Sequence, residues 1–386
     1  MSVHEHMNRN VYALTRSAIR EYSRLAAETP GCIRLTLGEP DFATPENVCE
    51  KAINSIESGN THYIENKGAK DLREKIAEYE RDHNGLHYSA DEVIVTAGAT
   101  EALFITLTGI LDPGDEVIVP QPAFVLYEQI VRLAGAITVP LDTRRNSFQI
   151  DKDILEQLIT DRTKAVILNS PNNPTGCVYN SESLMAVYEA VRGRDIFVIC
   201  DDVYRQLYYG REYHSFSEFS DIREQIVVVQ SFSKPYAMTG WRLGYLMADR
   251  TVTERLELIH QFSVVSTPSM FQQAGIAALD EDPSEMLEEY RWRRDYVISR
   301  LAAIGMETMI PEGAFYIFPD IKKYGLDSGT FARRLITEAG VAVTPGLAFG
   351  SDDHIRISYC CSRINLEEGL DRLEGFIIKL RSEQRN

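Results

Sequence analysis

Apolar residues recur along this chain in two patterns. The first is a short continuous run rich in Val, Ile and Leu, bounded by glycine or small polar residues, which is typical of a buried strand. The second places apolar residues three and four positions apart, which is typical of an amphipathic helix. The runs predict strands at 93–97, 116–119, 165–168, 196–200, 226–230 and 243–248, and the stretches between them predict helices at 101–111, 127–134, 154–159 and 181–191.

Strands and helices that alternate in this order predict a mostly parallel sheet covered by helices on both faces. Two more helices, at 45–58 and 69–84, precede the first strand. The first of them has Pro45 near its start and Gly59 just beyond its end, as helix boundaries favour. We therefore predict an α/β fold with a large, doubly wound domain.

The pattern changes near residue 283, where an acidic stretch leads into a charged helix. Fewer and mixed elements follow, with helices predicted at 330–339 and 365–380 and a strand at 354–359, which predicts a smaller α+β domain. Residues 1–30 carry apolar positions three and four apart, as in a helical arm, and we expect this arm to complete the small domain. The predicted division is an N-terminal arm at 1–45 that joins the small domain, a large domain at 46–282 and a small domain at 283–386.

Composition limits the function more than the fold. The 386 residues exceed what one hydrophobic core usually holds, in agreement with two domains. A net charge of −17 argues against a nucleic-acid or anionic-membrane surface, because either needs a concentrated basic face. The longest apolar region, 93–111, is broken by Gly98, Glu101 and threonines, so no membrane span is predicted.

The six cysteines include no CxxC pair and no regular spacing, which argues against a zinc site and against a disulfide framework. The eight histidines are scattered without an HExxH motif, so we predict no metal. The N-terminus carries His4, Glu5 and His6 where an export signal needs an apolar core. We expect a cytoplasmic protein with reduced thiols.

One lysine lies where the predicted strand 226–230 opens into a loop. Open α/β sheets place their chemistry at the carboxyl ends of the strands. There Lys234 would lose proton affinity in a partly dry site and form a Schiff base with a carbonyl, while neighbouring hydroxyls and Arg242 would hold a phosphate. A lone lysine of this kind is otherwise typical of a solvated loop.

Other predicted strands end in polar residues too. Gly98 follows 93–97 at the start of a helix, where backbone N–H groups and a threonine hydroxyl bind anions, although an ordinary cap at Thr100 explains the same residues. Asp201 and Asp202 follow 196–200, where a carboxylate needs a positive charge or a donor unless it caps a helix.

Two loops and one strand complete the polar set. Residues 169–176 contain two prolines, which would make the loop rigid and fix the direction of an asparagine side-chain amide. The alternative is that the segment is only a turn. Gly38 follows an extended segment and allows close backbone approach, or again a turn. In 354–359 apolar and polar residues alternate, which places Arg356 on the opposite face of the strand from Ile355 and Ile357. We expect Arg356 either to bind a carboxylate or to form a structural salt bridge.

A lysine, an anion cradle, a buried aspartate and a carboxylate-binding arginine are together what pyridoxal phosphate chemistry needs. Over essentially its whole length the chain resembles the class I/II aminotransferases, which are fold-type I pyridoxal-phosphate enzymes. The order and spacing of the motifs make the match specific. They lie at 38–42, 63–68, 98–100, 171–176, 201–204, 231–244, 313–316 and 356–358.

The resemblance implies a role for each matching residue around the cofactor ring. Lys234 is then the Schiff-base lysine, which after its release moves the proton between the substrate and the cofactor. Asp201 pairs with the pyridine nitrogen, and Asn173 and Tyr204 bond the ring oxygen. Phe124 stacks on the ring. The implied catalytic residues are Lys234, Asp201 and Tyr204.

The same resemblance assigns the phosphate, the substrate and the subunit arrangement. Arg356 binds the substrate α-carboxylate, with Asn173 and the backbone of Gly38 close by. Tyr63 matches a tyrosine that reaches the phosphate of a neighbouring subunit, which implies a homodimer with shared sites. The implied phosphate ligands are Gly98, Ala99, Thr100, Ser231, Ser233 and Arg242.

Three positions depart from the family pattern. Phe124 often has a tyrosine or tryptophan counterpart, so a hydroxyl contact is absent while stacking remains. Asp202 replaces a common glutamate. Thr100 stands where some aspartate-using relatives have a lysine, which weakens an aspartate assignment. Segments 193–241 and 313–319 look most like the bacterial branch that contains aromatic amino acid and N-acetyl-diaminopimelate aminotransferases.

The expected function is therefore ping-pong transfer of an amino group between an L-amino acid and a 2-oxo acid. The alternative on the same fold is a pyridoxal-phosphate lyase that cleaves a carbon–sulfur bond by β-elimination. A regulatory module without turnover is disfavoured by the intact lysine. A nucleotide-binding dehydrogenase is disfavoured because no GxGxxG follows a strand.

Overall fold

The computed structural model describes residues 7–15 and 18–385. The helices predicted between residues 45 and 191 begin and end close to the predicted positions. The α-helices are α1 (Arg9–Tyr12), α2 (Ala18–Glu28), α3 (Glu46–Glu57), α4 (Lys70–Asn84), α5 (Ala99–Ile110), α6 (Leu126–Leu133), α7 (Lys152–Leu158), α8 (Ser181–Val191), α9 (Arg250–Val264), α10 (Ser269–Ala278), α11 (Ser284–Ala303), α12 (Ser328–Arg334) and α13 (Arg363–Glu383).

Twelve strands in the described residues divide among three sheets. A large sheet has the order β2-β8-β7-β6-β5-β3-β4, a small sheet the order β11-β12-β9, and β1 pairs with β10 alone. The strands are β1 (Ile33–Arg34), β2 (Val93–Thr96), β3 (Glu116–Gln121), β4 (Ile137–Asp142), β5 (Thr163–Asn169), β6 (Phe197–Asp201), β7 (Ile226–Ser231), β8 (Gly244–Ala248), β9 (Tyr316–Ile317), β10 (Val341–Ala342), β11 (Thr344–Pro345) and β12 (Ile355–Ser358).

The predicted mostly parallel sheet is confirmed. β3 to β7 pair in parallel, and β8 is antiparallel to both its neighbours. Helices cover both faces, as β2 illustrates: Val93 and Val95 pack into one core and Ile94 into the other. Burial on both faces explains why these strands are continuous apolar runs.

The antiparallel strand determines which segments meet at the functional edge. Because β8 runs the other way, its first residue lies beside the last residues of its neighbours, with Gly244 opposite both Thr96 and Ser231. In the same sheet Asn169 lies opposite Asp201. The loops after β2, β5 and β6 and the loop that joins β7 to β8 therefore converge on one edge.

The N-terminal segment packs with the C-terminal part of the chain. The backbone N–H groups of Ile33 and Leu35 donate to Gly340 and Ala342 at 2.9 and 2.8 Å. Tyr22 of α2 is buried in a core built mainly from residues beyond 284. These contacts agree with an arm that joins the small domain, while the exact domain boundaries stay a prediction.

Several predicted elements differ from the structure. The arm predicted as one helix contains α1 and α2, and residues 1–6 and 16–17 of it lie outside the described residues. The predicted helix at 330–339 is α12 followed by a π-helical segment, Leu335–Ala339. Strand β4 was not predicted because it lies at the sheet edge, is largely unburied and contains Pro140. Helices α9 and α10 were also not predicted.

Candidate active site

A cavity of about 280 Å³ opens at the edge where the loops converge. Its walls come from the large sheet, from β12 and from the loop after β1, so both ends of the chain contribute. Nearly every residue predicted for the site lines it. These residues are Gly38, Ala99, Thr100, Phe124, Asn173, Asp201, Tyr204, Ser231, Ser233, Lys234, Arg242 and Arg356.

Lys234 lies in the loop after β7, as the sequence predicts, and its ammonium group points into the cavity. Nζ donates a 2.6 Å hydrogen bond to the carbonyl oxygen of Gly38. Burial lowers the pKa of Lys234 to about 8, and the nearby charges of Arg242 and Arg356 act in the same direction. A neutral, nucleophilic amine is thus accessible near neutral pH, which a solvated loop lysine does not provide.

Asp201, the last residue of β6, is buried at the cavity wall. Burial raises the pKa of its carboxyl to about 6, and a 2.5 Å hydrogen bond from the Tyr127 hydroxyl to Oδ2 opposes that rise. Oδ1 is buried and has no hydrogen-bond partner among the described residues. A buried carboxylate oxygen without a partner is costly, so this atom is suited to receive a donor from a ligand.

The structure distinguishes the two adjacent aspartates. Asp202 does not line the cavity; the Ser215 hydroxyl donates to its Oδ2 at 2.7 Å and Arg205 lies 3.7 Å away. The alternative in which either aspartate caps a helix fails, because residues 203–206 form turns. The cavity therefore contains Asp201 alone of the pair.

An anion cradle forms where α5 begins. Gly98 caps the helix with φ of 76°, and no side chain caps it, so the alternative of a Thr100 cap is not what the structure contains. The Arg242 side chain lies against the turn, because a Cβ added at Gly98 would fall 2.7 Å from Arg242 Nη2. Gly98 thus lies directly behind the cavity lining, and Ala99 and Thr100 present the helix N-terminus to it.

Arg356 is 2% exposed and is held on several sides. Nη1 donates to Asn173 Oδ1 and Nη2 to the Thr36 carbonyl, both at 2.8 Å, and the guanidinium lies 4.4 Å from the centre of the Tyr316 ring. Nε has no hydrogen-bond partner in the described part of the chain. No carboxylate pairs with Arg356 among those residues, so the structural salt bridge considered from the sequence does not form.

Three predictions concern other parts of the chain. Tyr63 is 87% exposed and lies outside this cavity, so the single chain does not test its predicted contact with a partner. Among the described residues no group of three or more histidine, cysteine or acidic side chains is arranged to hold a metal ion. None of the described helices combines the length and the hydropathy that a membrane crossing requires.

Comparisons with known proteins agree with this geometry. Residues 30–373 match the family model "Aminotransferase class I and II". The chain belongs to this family. It is 38% identical to a probable N-acetyl-LL-diaminopimelate aminotransferase of Bacillus subtilis, over 95% of this chain and 94% of that protein.

Two further relatives indicate how far the similarity extends. An aromatic-amino-acid aminotransferase 2 of Thermococcus litoralis is 38% identical over 93% of this chain and 95% of its own length. The aspartate aminotransferase of Thermus thermophilus, solved with maleate, superposes with a TM-score of 0.91 at 38% identity, over 95% of this chain and 98% of that one. The comparisons support transamination rather than the β-elimination alternative.

Pyridoxal phosphate is the cofactor of these aminotransferases, and the cavity fits it in two respects. The buried Oδ1 of Asp201 has no partner in the described residues and is suited to accept from a protonated pyridine nitrogen. The α5 N-terminus, with Arg242 beside Gly98, is suited to a phosphate. Lys234 lies in the same cavity.

Sequence reasoning missed three residues of the aminotransferase cavity. Tyr127 bonds Asp201, the Tyr316 and Tyr204 hydroxyls are 2.8 Å apart, and Asn169 donates to the Asp201 carbonyl while accepting from the Asn173 backbone. The available signals were that Asn169 begins the proline-containing loop at 169–176 and that Tyr316 belongs to the motif at 313–316. Tyr127 gave none, because it fits an apolar helix position.

Proposed function

We propose that this aminotransferase attaches pyridoxal phosphate to Lys234 Nζ and uses the same amine to move the proton at the substrate α-carbon. The observation that carries the proposal is a largely buried amine with a pKa near 8 in one cavity with the unpartnered Oδ1 of Asp201. When bound, the cofactor supplies a ring that withdraws electrons from the substrate α-carbon. Asp201 would maintain that capacity by accepting a hydrogen bond from the protonated pyridine nitrogen.

The family resemblance suggests the remaining ring contacts, and the positions of these residues along the cavity wall support them. Phe124 would stack on the ring, and Asn173 and Tyr204 would bond the ring oxygen. Tyr204 is supported in this role by the Tyr316 hydroxyl 2.8 Å away, which fixes its orientation. The phosphate ligands proposed are Gly98, Ala99, Thr100, Ser231, Ser233 and Arg242.

Arg356 is proposed to bind the substrate α-carboxylate. Its guanidinium is buried beside Asn173. Among the described residues, its hydrogen bonds go to neutral oxygen atoms and none goes to a carboxylate. A buried cation that lacks an anion favours an anionic ligand. The Gly38 carbonyl, which accepts from Lys234, lies at the same end of the cavity.

The amino donor is proposed to be an aromatic amino acid or N-acetyl-diaminopimelate. Relatives with those names are 38% identical to this chain, and so is the aspartate aminotransferase of Thermus thermophilus, so the choice between donors rests on position 100. Thr100 offers no positive charge where some aspartate-using relatives have a lysine, which argues against aspartate as the preferred donor.

A donor panel tests both the reaction and the substrate. The purified holoprotein is incubated with aromatic amino acids, N-acetyl-diaminopimelate, aspartate or alanine, with and without 2-oxoglutarate, and glutamate formation is measured. We expect glutamate only when donor and acceptor are both present. Pyruvate and ammonia released from an amino acid alone would contradict transamination, and aspartate as the fastest donor would contradict only the substrate proposal.

We further propose a homodimer with shared sites. Tyr63 and Phe262 are 87% and 85% exposed. The loop that carries Tyr63 is joined to the end of α9, the helix that carries Phe262, by a 3.0 Å hydrogen bond from Asn66 Nδ2 to the Val265 carbonyl. Val265 is half exposed with φ of 67°, an unfavourable conformation for a β-branched residue. Such an apolar, conformationally constrained surface suits a second copy of the chain.

Mixing two inactive variants tests the shared sites. Lys234→Ala and Tyr63→Ala proteins, refolded together, should regain activity if Tyr63 serves the partner's site, because one hybrid site then has both residues intact. A monomer by light scattering would contradict the dimer. A cytoplasmic location also stays a proposal, supported by the six unpaired cysteines.

A further inference from the structure

The carboxylate of Glu101 folds back onto the turn that precedes its own helix. Glu101 is the third residue of α5, and its Oε2 accepts a 2.5 Å hydrogen bond from the backbone N–H of Ala97. The other oxygen, Oε1, lies 2.8 Å from Nδ1 of His260. Neither Glu101 nor His260 lines the cavity.

His260 lies on α9 and is 0% exposed. Because a carboxylate oxygen only accepts, Nδ1 is assigned as the donor in this pair. The other ring nitrogen, Nε2, has no hydrogen-bond partner among the described residues. A buried imidazole with one unpartnered nitrogen is costly, so its bond to Glu101 is the interaction that explains its presence on this helix.

Helix α9 offers a firm support for that bond. It packs directly on α5, where a Cβ added at Gly109 would fall 2.5 Å from the Leu256 side chain. The two helices therefore approach closely, and His260 lies one turn beyond Leu256 on α9. The position of Glu101 is in this way set by a second element of the large domain.

The bond to Glu101 completes the hydrogen bonding of the turn. The Gly98 N–H donates to the Thr96 carbonyl at 2.7 Å, and the Ala97 carbonyl accepts from Arg242 Nη2 at 3.4 Å. With Ala97 N–H bound to Glu101, the N–H groups of Ala99 and Thr100 at the start of α5 remain for a ligand, since the first N–H groups of a helix have no intrahelical acceptor.

We propose that Glu101 and His260 are positioning residues for the phosphate of the cofactor. They touch no ligand; they hold the turn before α5 so that the N–H groups of Ala99 and Thr100 point at the phosphate. The inference rests on the proposed phosphate site. The bond from His260 also offsets part of the repulsion between the Glu101 carboxylate and a phosphate at the same helix end.

Comparing two ligands separates positioning from general damage. Dissociation constants of pyridoxal phosphate and of pyridoxal, which lacks the phosphate, are measured by absorbance titration of the apoprotein. In Glu101→Ala we expect the constant for pyridoxal phosphate to rise about tenfold or more, and that for pyridoxal to change less than about twofold. Glu101→Gln should restore the affinity, because its amide oxygen accepts from Ala97.

Variants on α9 test the second residue. His260→Leu should raise the same constant, by less than Glu101→Ala, whereas His260→Asn keeps a donor near the Nδ1 position and should retain affinity. Glu257→Gln is the matched control: it removes a carboxylate from the same helix, one that lies 3.6 Å from Lys67 and does not contact the turn. It should change neither constant.

Arg242→Gln separates this inference from the phosphate site on which it depends. Suppose that Arg242→Gln weakens the binding of pyridoxal phosphate but not of pyridoxal, while Glu101→Ala changes the binding of neither ligand. The phosphate site then stands and the positioning role is overturned. If neither variant discriminates between the ligands, the phosphate site itself is wrong. Equal weakening of both ligands in Glu101→Ala would also overturn the positioning role, since the residue would then be structural only.

Discussion

The hydroxyl of Tyr127 donates a 2.5 Å hydrogen bond to Oδ2 of Asp201, and both side chains are buried. The bond fixes one oxygen of the carboxylate and leaves Oδ1 without a partner in the described chain. It also stabilises the charged form, so it lowers the pKa of Asp201 against the rise that burial imposes. Tyr127 is therefore expected to control the charge available to the cofactor ring.

Tyr127→Phe tests this relationship. Loss of the donor should raise the pKa of Asp201 above its present value of about 6, so the acidic limb of the pH profile of kcat/KM should move to higher pH. At neutral pH kcat should fall about tenfold, as expected for a lost hydrogen bond to a charge. Tyr324→Phe is the control, because the buried Tyr324 hydroxyl has no partner in the described residues. An unmoved acidic limb would contradict the role of Tyr127.

The lowered pKa of Lys234 predicts when the apoprotein reacts with cofactor. The neutral amine is the nucleophile, so the rate of pyridoxal phosphate attachment should rise with pH and level off above about pH 8. An ordinary lysine would level off only above about pH 10. Stopped-flow absorbance measures the rate. Lys234→Ala should abolish attachment and turnover, and replacement of the exposed Lys51 by alanine should change neither. Attachment that survives in Lys234→Ala would refute the assignment.

Arg356→Ala should raise KM for every amino-acid donor, whatever its side chain. The α-carboxylate is common to all donors, and loss of a buried charged hydrogen-bonding group costs about thirtyfold or more in binding. Arg356→Lys should recover only part, since an ammonium lacks the two parallel donors. Arg333→Gln, at an exposed arginine of α12, is the control. A KM effect confined to one class of side chain would instead place Arg356 near the distal end of the substrate.

Gly38→Ala probes the contact between the loop after β1 and Tyr316. A Cβ at Gly38 would fall 2.6 Å from the Tyr316 hydroxyl but 3.7 Å from the ring carbon that bears it. The single variant should therefore raise KM, and Gly38→Ala combined with Tyr316→Phe should behave like Tyr316→Phe alone, a non-additive result. Gly375→Ala, where a Cβ meets nothing within 4 Å, should leave KM unchanged. Additive effects in the double variant would exclude this contact.

Much of the cavity is predictable from the order of residues along the chain. The apolar runs end at polar residues, and in a parallel sheet those ends share one edge, so Asp201, Lys234 and the turn at Gly98 could be placed together. Their roles came from the family resemblance, and remain to be tested. Strand β4 and helices α9 and α10 were not predicted. Because His260 lies on α9, its position in the fold could not be predicted either.

The sequence by itself determined the α/β class, the family and the positions of the polar loops, because hydrophobic period and motif spacing are local properties of the chain. The family resemblance had already singled out Asp201 from the two adjacent aspartates, and the structure places Asp201 and not Asp202 at the cavity. Only the tertiary structure brought Tyr127 to Asp201 across 74 positions. It also brought Glu101 to His260 across 159. Because β8 is antiparallel to β2 and β7, its first residue lies beside the last residues of both strands. Arg242, just before β8, therefore lies next to the turn at Gly98. Contacts of this kind depend on how elements pack, and no local pattern encodes the distance between two side chains that meet only in the folded chain.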